Sequence, residues 1–303
     1  MDVKRRQMII GDLAVLLVAL IWGATNVVIR DALAGITPFW FCALRFIIAW
    51  VAVMLIFGKR AMAMDRRAQA AGTFTGMVFT CAYLAGAVGL LYTTAGNQSF
   101  IISMSVVFVP LSVWLLTKKF PGWHVIASVA LCTAGMAGLV LDGGFAVNVG
   151  DLLSAGAMLF VTAYILLVQR FVAGADPCGL ACWQACGGMI LASAAALLFE
   201  PIPASLSGAT WAAVIYAGTV GFALTLVLQT VAQKYTTSTH VAILLSTSGI
   251  FGSVIGVLFI GEPMTWRIFI ASALILAGVV SVEAIPAIRK QSARAAKTDE
   301  TAG

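Results

Sequence analysis

The sequence has few charged residues. Only 10% of its 303 residues are Asp, Glu, Lys or Arg, whereas 61% are hydrophobic. A soluble globular domain carries about 25% charged residues, so this composition excludes that class. The net charge of +6 does not indicate nucleic-acid binding, because the Lys and Arg residues separate apolar blocks instead of forming a basic stripe beside aromatic side chains. A polytopic membrane protein is expected, with lipid as a partner and no nucleic acid.

Residues that carry catalytic chemistry are also scarce. The two histidines, His124 and His240, lie far apart in the sequence, and neither has a matching partner for acid–base or metal chemistry. No glycine-rich phosphate-binding motif is present, which argues against ATP as an energy source within this chain. We therefore expect no enzyme activity and no cofactor, and any transport is expected to use a gradient.

The six cysteines all lie in apolar segments. Cys178, Cys182 and Cys186 recur every four residues, which would fit a path for a soft metal. No His or Met ladder accompanies them, and small residues are common where membrane helices pack closely. Helix packing is the favoured interpretation, with no metal site and no structural disulfide expected.

Ten apolar segments have about the length needed to cross 30 Å of hydrocarbon. A signal peptide is rejected for the first, because it ends in Arg30 and Asp31 and not in a small-residue cleavage site. Residues 1–10 are predicted to form a cytoplasmic leader and residues 287–303 a disordered cytoplasmic tail. The segments cover about 11–28, 38–57, 72–92, 98–116, 125–141, 152–168, 178–199, 211–231, 241–260 and 268–285.

The chain also contains an internal repeat. A shift of 143 residues aligns YTTAGNQSFIISMSVVF from Tyr92 with YTTSTHVAILLSTSGIF from Tyr235, and a shift of 139 aligns the stretches that begin at Gly11 and Gly150. Self-similarity at a fixed spacing indicates a duplicated structural unit. We predict two repeats, residues 11–141 and 150–286, with five transmembrane helices each.

The distribution of basic residues predicts the orientation. All but three of the 18 Lys and Arg residues fall on the face that holds the N-terminus; Arg30 and Arg267 lie on the other face and Arg45 within a span. This bias places both termini in the cytoplasm. Because five spans per repeat is an odd number, the second repeat enters the membrane from the opposite side and is inverted relative to the first. Two inverted halves around a central site are typical of transporters that work by alternating access.

Several short motifs carry a family resemblance. WGATN begins at Trp22, ALRF at Ala43, AGNQSFIISMSVVFVPL at Ala95 and GEPMTW at Gly261. In this order, and with the repeat, they resemble EamA-domain proteins of the drug/metabolite transporter superfamily. The resemblance implies ten helices around a central cavity and, usually, export of small metabolites such as amino acids, amines or toxic organic compounds.

Arg45 is the leading candidate for substrate binding. It lies about 10 Å along the helix from Pro38, and the repeat aligns it with Gln184. An ionisable residue inside a membrane span usually has a function, because it is costly to bury. A guanidinium binds a carboxylate through two parallel hydrogen bonds. The alternative, in which Arg45 snorkels to the outer surface or bonds a neighbouring carbonyl, stays equally open.

Trp22 and Asn26 are four residues apart and share a helix face. The repeat aligns them with Val161 and Ile165, next to Tyr164. An aromatic and amide wall of the cavity is favoured over an interhelical packing contact.

Serines recur in the fourth and ninth segments. Ser103 and Ser105 match Ser246 and Ser248, and a spacing of two residues puts the members of each pair on different faces. In each pair one serine, Ser103 in the first and Ser246 in the second, is expected to face the cavity or a kink near Pro110. The other serine of each pair is expected to bond its own backbone.

Acidic residues give little support for proton coupling. Asp12 and Asp151 occupy the same repeat position and are interpreted as first-turn carboxylates that complement the helix dipole, in preference to a proton relay. No carboxylate is predicted near the midplane, so proton coupling, exchange and uniport all stay open.

The sequence therefore predicts an all-α secondary transporter of the inner membrane that exports a small amphipathic solute, such as an amino-acid-like metabolite or an amine. Uptake or exchange of a nucleotide-like or cationic metabolite is the alternative within transport. A channel or lipid scramblase is the competing class, and a homodimer stays open. The predicted substrate-binding residues are Trp22, Asn26, Arg45, Ser103, Tyr164, Gln184 and Ser246.

Overall fold

The computed structural model describes residues 3–28, 35–89, 91–93, 95–140, 148–260, 266 and 268–281. Within these ranges the chain is helical and contains no β-strand. Two π-helical segments, Thr219–Leu224 and Gly256–Ile260, continue two of the α-helices. The α-helices are α1 (Val3–Val28), α2 (Pro38–Met62), α3 (Arg66–Gly89), α4 (Ala95–Ser103), α5 (Ser105–Thr117), α6 (Trp123–Val140), α7 (Val149–Val172), α8 (Pro177–Phe199), α9 (Gly208–Gly218), α10 (Thr225–Gln233), α11 (Ser238–Leu245), α12 (Ser248–Ile255) and α13 (Ile268–Ser281).

The described residues include eight helical segments that are long and apolar enough to cross a membrane. They correspond to eight of the predicted spans. The fifth and tenth predicted spans coincide with shorter apolar helices, Trp123–Gly138 and Ile268–Ser281. The prediction of an all-helical polytopic membrane protein is confirmed, and the arrangement as ten helices in two repeats stays a prediction.

The fourth and ninth predicted spans are interrupted. The fourth breaks at Met104, between α4 and α5, whereas Pro110 lies inside α5. The ninth breaks at Ser246 and Thr247, whose hydroxyls donate to the carbonyls of residues 243 and 244 at 2.6 and 2.7 Å. Side chains that bond the preceding turn compete with the helical ladder and bend it. In the fourth span the helix is thus interrupted six residues before Pro110, near which a kink was expected.

The N-termini of α2 and α8 are capped by carboxylates. Asp176 precedes Pro177 and accepts a hydrogen bond from the backbone N–H of Gly179 at 2.8 Å. Glu200, at the end of α8, accepts from the backbone N–H groups of residues 39 and 40 at 3.1 and 3.0 Å. Because free N–H groups at a helix start need acceptors, Glu200 joins the end of α8 to the beginning of α2.

The interpretation of the two repeat-matched aspartates is confirmed for one and wrong for the other. Asp151 lies in the first turn of α7, in a capping box with Asn148. Asp12 lies within α1, because the basic leader contains no helix breaker and the helix already begins at Val3. Both carboxylates bind a threonine from a turn between helices in another part of the chain: Asp151 accepts from Thr93 at 2.6 Å and Asp12 from Thr236 at 2.7 Å.

Glycine allows backbone contact at the centre of the bundle. α3 packs against α7 and α8, α2 packs against α8, and α1 packs against α10, α11 and α12. A Cβ atom at Gly76 would overlap the carbonyl of Gln184, and one at Gly187 would overlap the carbonyl of Thr73. The absence of a side chain at both glycines brings α3 and α8 together and carries Gln184 into the interior.

Candidate functional site

Arg45 is buried inside the helix bundle, with 6% of its surface exposed. Its Nη2 donates to the Tyr83 hydroxyl at 3.2 Å, and its guanidinium lies 4.5 Å from the centre of the Tyr83 ring and 5.2 Å from that of Phe222. Its Nε has no hydrogen-bond partner, and no carboxylate in the described part of the chain pairs with it. The snorkelling alternative is therefore not the arrangement of Arg45 in this structure, because the side chain ends among aromatic rings.

Aromatic rings fill the space next to Arg45. Phe79 stacks on Tyr164 with ring centres 4.0 Å apart and on Phe222 at 5.8 Å. Phe46 lies 4.3 Å from Phe222 and is fully buried, and its ring rests against Gly188. We define the aromatic cluster as Phe46, Phe79, Tyr83, Tyr164 and Phe222. Contacts between these rings link α2, α3 and α7 to the π-helical segment after α9.

Gln184 also contacts the aromatic cluster and is 1% exposed. Its Oε1 accepts from the Tyr164 hydroxyl at 3.4 Å and from the Thr230 hydroxyl at 3.3 Å. Its Nε2 has no partner among the described residues. Arg45 and Gln184, which the repeat aligns, are thus each bonded to a tyrosine of the aromatic cluster, and each keeps an unpartnered nitrogen.

Trp22 lies at the edge of the same region. Its Nε1 donates to Thr225 at 3.2 Å, and its ring stacks on Phe79 with centres 6.5 Å apart. Trp22 therefore contacts the aromatic cluster, to which Tyr164 belongs. Their role in binding a substrate stays a prediction. The Asn26 side chain lies outside the described residues.

The two predicted serines lie at the helix breaks. Ser246 is buried, and its hydroxyl donates to the Ile243 carbonyl of its own helix. Ser103, the last residue of α4, is half-buried. The ninth-span break is close to α1, because a Cβ at Gly23 would lie 2.7 Å from the Ser248 carbonyl. The Ser246 hydroxyl therefore serves the local backbone of the break.

Six residues of the centre are absent from the predicted site: Phe46, Phe79, Tyr83, Phe222, Gln229 and Thr230. The three phenylalanines gave no signal, because an aromatic residue in an apolar span is indistinguishable from packing. Gln229 did give a signal in the sequence, because Thr225, Gln229 and Gln233 recur every four residues and share a helix face. In the structure all three are buried.

The cysteine stripe of α8 contacts α2. The Cys182 thiol lies 3.4 Å from the Val53 carbonyl, and Cys178 lies 3.8 Å from Nη1 of Arg60. The described residues contain no group of three or more His, Cys, Asp or Glu that is arranged to hold a metal ion. These contacts agree with a role of the stripe in helix packing.

Long apolar helices around a buried arginine and glutamine define a polytopic membrane protein with a polar centre. Comparison with known proteins identifies its family. The chain belongs to the EamA-like transporter family, whose family model matches residues 9–141 and 148–283. It is a membrane transporter.

Individual relatives agree with this assignment. The chain is 32% identical over 272 residues to an uncharacterized transporter of Archaeoglobus fulgidus, an alignment that covers 90% of this chain and 85% of that protein. A solved crystal structure superposes with a TM-score of 0.78 at 18% sequence identity and covers 90% of this chain and 96% of the solved one. At that identity the likeness concerns the fold alone.

Proposed function

We propose that this protein is a secondary transporter that exports a small carboxylate-bearing, amino-acid-like metabolite across the inner membrane by alternating access. Both termini lie in the cytoplasm in this proposal, as the distribution of Lys and Arg predicts. The direction follows the family resemblance, in which export is usual.

The observation that carries the proposal is the charge of Arg45, which no carboxylate of the described residues compensates. Burying an ion costs several kcal/mol unless a partner offsets it, and a cation–π contact returns about 2 kcal/mol when desolvated. Tyr83 and Phe222 hold the guanidinium in place without neutralising it. A substrate carboxylate would supply the missing negative charge and could accept from the unpartnered Nε.

Matched contacts between the two halves support alternating access. Phe79 and Phe222, which stack on each other, are 143 residues apart, the spacing of the repeat. Thr93 and Thr236 have the same spacing, and each bonds one of the repeat-matched aspartates in the other half. Two inverted halves with equivalent contacts can exchange conformations and open a central site to either side in turn.

The test is counterflow into liposomes that contain the purified protein and are preloaded with amino acids, amines or nucleotides. We expect saturable exchange of carboxylate-bearing solutes. Replacing Arg45 with Gln is expected to reduce that exchange at least tenfold at equal expression, whereas Arg170→Gln, at an exposed position, serves as a control with unchanged exchange.

Two results would overturn the proposal. Equal exchange by the Arg45→Gln variant and the parent protein would show that Arg45 does not bind the carboxylate of the substrate. Flux without saturation would indicate a channel or scramblase instead. A parallel series with and without a pH gradient tests whether protons drive the cycle.

A further inference from the structure

The helix α10 carries buried polar side chains on two adjacent faces. Thr225, Gln229 and Gln233 lie on one face, and Thr230 lies beside Gln229 on the next. All four are at most 1% exposed. A helix that is polar on its buried sides is costly inside a membrane, so these groups indicate a function.

The amides in this region are only partly hydrogen-bonded. Within the described part of the chain, Gln229 has no partner for either Nε2 or Oε1, and Gln184 has none for Nε2. Exchanging the oxygen and nitrogen of the Gln184 amide would still leave one of the two atoms unpartnered. A buried polar group without a partner costs about 1–3 kcal/mol, and such groups are uncommon in native proteins.

No carboxylate in the described ranges is bonded to the two amides. The described carboxylates are those of Asp12, Asp65, Asp151, Asp176 and Glu200. None of them hydrogen-bonds Gln184 or Gln229, whose only side-chain partners among the described residues are the hydroxyls of Tyr164 and Thr230 on Gln184. Amides both donate and accept, so this chemistry complements a neutral carboxamide or hydroxyl better than an ammonium, which would be buried without a counter-charge.

We propose that Gln184 and Gln229, with Tyr164 and Thr230, form an amide subsite that binds a neutral hydrogen-bonding group of the transported solute. This inference rests on the proposed function and narrows its substrate class. The carboxylate of the solute meets Arg45, next to Tyr83 and Phe222, and its distal carboxamide or hydroxyl meets the amide subsite next to Tyr164. The preferred solutes are then small acids with a neutral polar end.

A series of amino acids with the same carboxylate end tests the subsite. Counterflow is measured with glutamine, norleucine, glutamate and lysine, which differ only in the distal part of the side chain. We expect glutamine to be exchanged at least about tenfold better than norleucine, the factor that corresponds to 1.4 kcal/mol. Gln229→Met, which keeps length and removes hydrogen bonding, is expected to abolish that preference while norleucine exchange persists.

A charge variant gives an independent readout. Gln229→Glu places a carboxylate in the subsite and is expected to raise the ratio of lysine to glutamine exchange at least tenfold. Gln69→Met, at the beginning of α3 where Gln69 bonds the Met64 carbonyl, is the matched control and leaves all ratios unchanged.

The failures of the two proposals are distinguishable. If no carboxylate solute shows saturable exchange that depends on Arg45, the proposed function fails. If such exchange exists but glutamine and norleucine are exchanged equally well, the proposed subsite is overturned. It is also overturned if Gln229→Met and Gln229→Glu keep the solute preferences of the parent protein.

Discussion

Phe79 and Phe222 stack on each other at the centre of the helix bundle, with ring centres 5.8 Å apart and planes inclined by 22°. They are 143 residues apart, the same spacing that relates Tyr92 to Tyr235. In a structure of two inverted halves, equivalent residues touch only where the axis between the halves passes. The pair therefore marks the position of the proposed two-fold axis, within the aromatic cluster.

Replacing either phenylalanine with leucine tests this central contact. Aromatic pairs contribute about 0.5–1.5 kcal/mol beyond the area that they bury, so Phe79→Leu and Phe222→Leu are each expected to lower the thermal unfolding midpoint in detergent. The double variant should lose less than the two single losses together, because both remove the same contact. Strict additivity would show that the rings do not stabilise each other.

The approach of α3 to α8 depends on glycine. A methyl group at Gly76 would overlap the Gln184 carbonyl, and backbone cannot move aside as a flexible side chain can. We expect Gly76→Ala to prevent assembly of the bundle, which fluorescence-detected size-exclusion chromatography would show as loss of the monodisperse peak. Gly156→Ala on α7 is the control, since a methyl group there would meet no neighbouring heavy atom within 4 Å; a normal peak for both variants would contradict the close contact.

Glu200 joins two helices, and its removal should cost more than the loss of a local cap. Capping residues contribute about 0.5–2 kcal/mol. Glu200→Ala leaves the first N–H groups of α2 without an acceptor from α8, whereas Asp65→Ala affects only the N-terminus of its own helix, where Asp65 accepts from Ala68 at 2.7 Å. The thermal midpoint is expected to fall further for Glu200→Ala, and equal shifts would argue against a role in joining α2 to α8.

The two threonine–aspartate bonds should behave alike. Hydrogen bonds to charged groups contribute about 1.5–3 kcal/mol, and Thr93 and Thr236 donate to Asp151 and Asp12 at 2.6 and 2.7 Å. Thr93→Val and Thr236→Val are expected to lower the thermal midpoint by similar amounts and to slow counterflow in both cases. A large effect in only one half would contradict equivalent roles for the two contacts.

Part of the site could be predicted because polarity within an apolar span is visible in the sequence. Arg45, Gln184 and Trp22 stood out for that reason, and their contacts join them to one region. Phe79, Phe222 and Thr230 could not be found in this way, because neither a phenylalanine nor a threonine is unusual in a membrane helix. The position of the helix break was also missed, since Met104 has no breaking side chain and Pro110 was the more conspicuous residue.

The amino-acid sequence is enough to identify a polytopic helical membrane protein of a transporter family and the residues that are costly to bury. Those properties are local, because hydrocarbon thickness sets the length of an apolar segment and each side chain carries its own cost of burial. Only the packing of the helices shows what surrounds Arg45, which rings meet, and that Gln184 and Gln229 keep amide atoms without a partner among the described residues. These features depend on contacts between residues far apart in the chain. Close helix packing at glycines such as Gly76 and Gly187 brings those residues together.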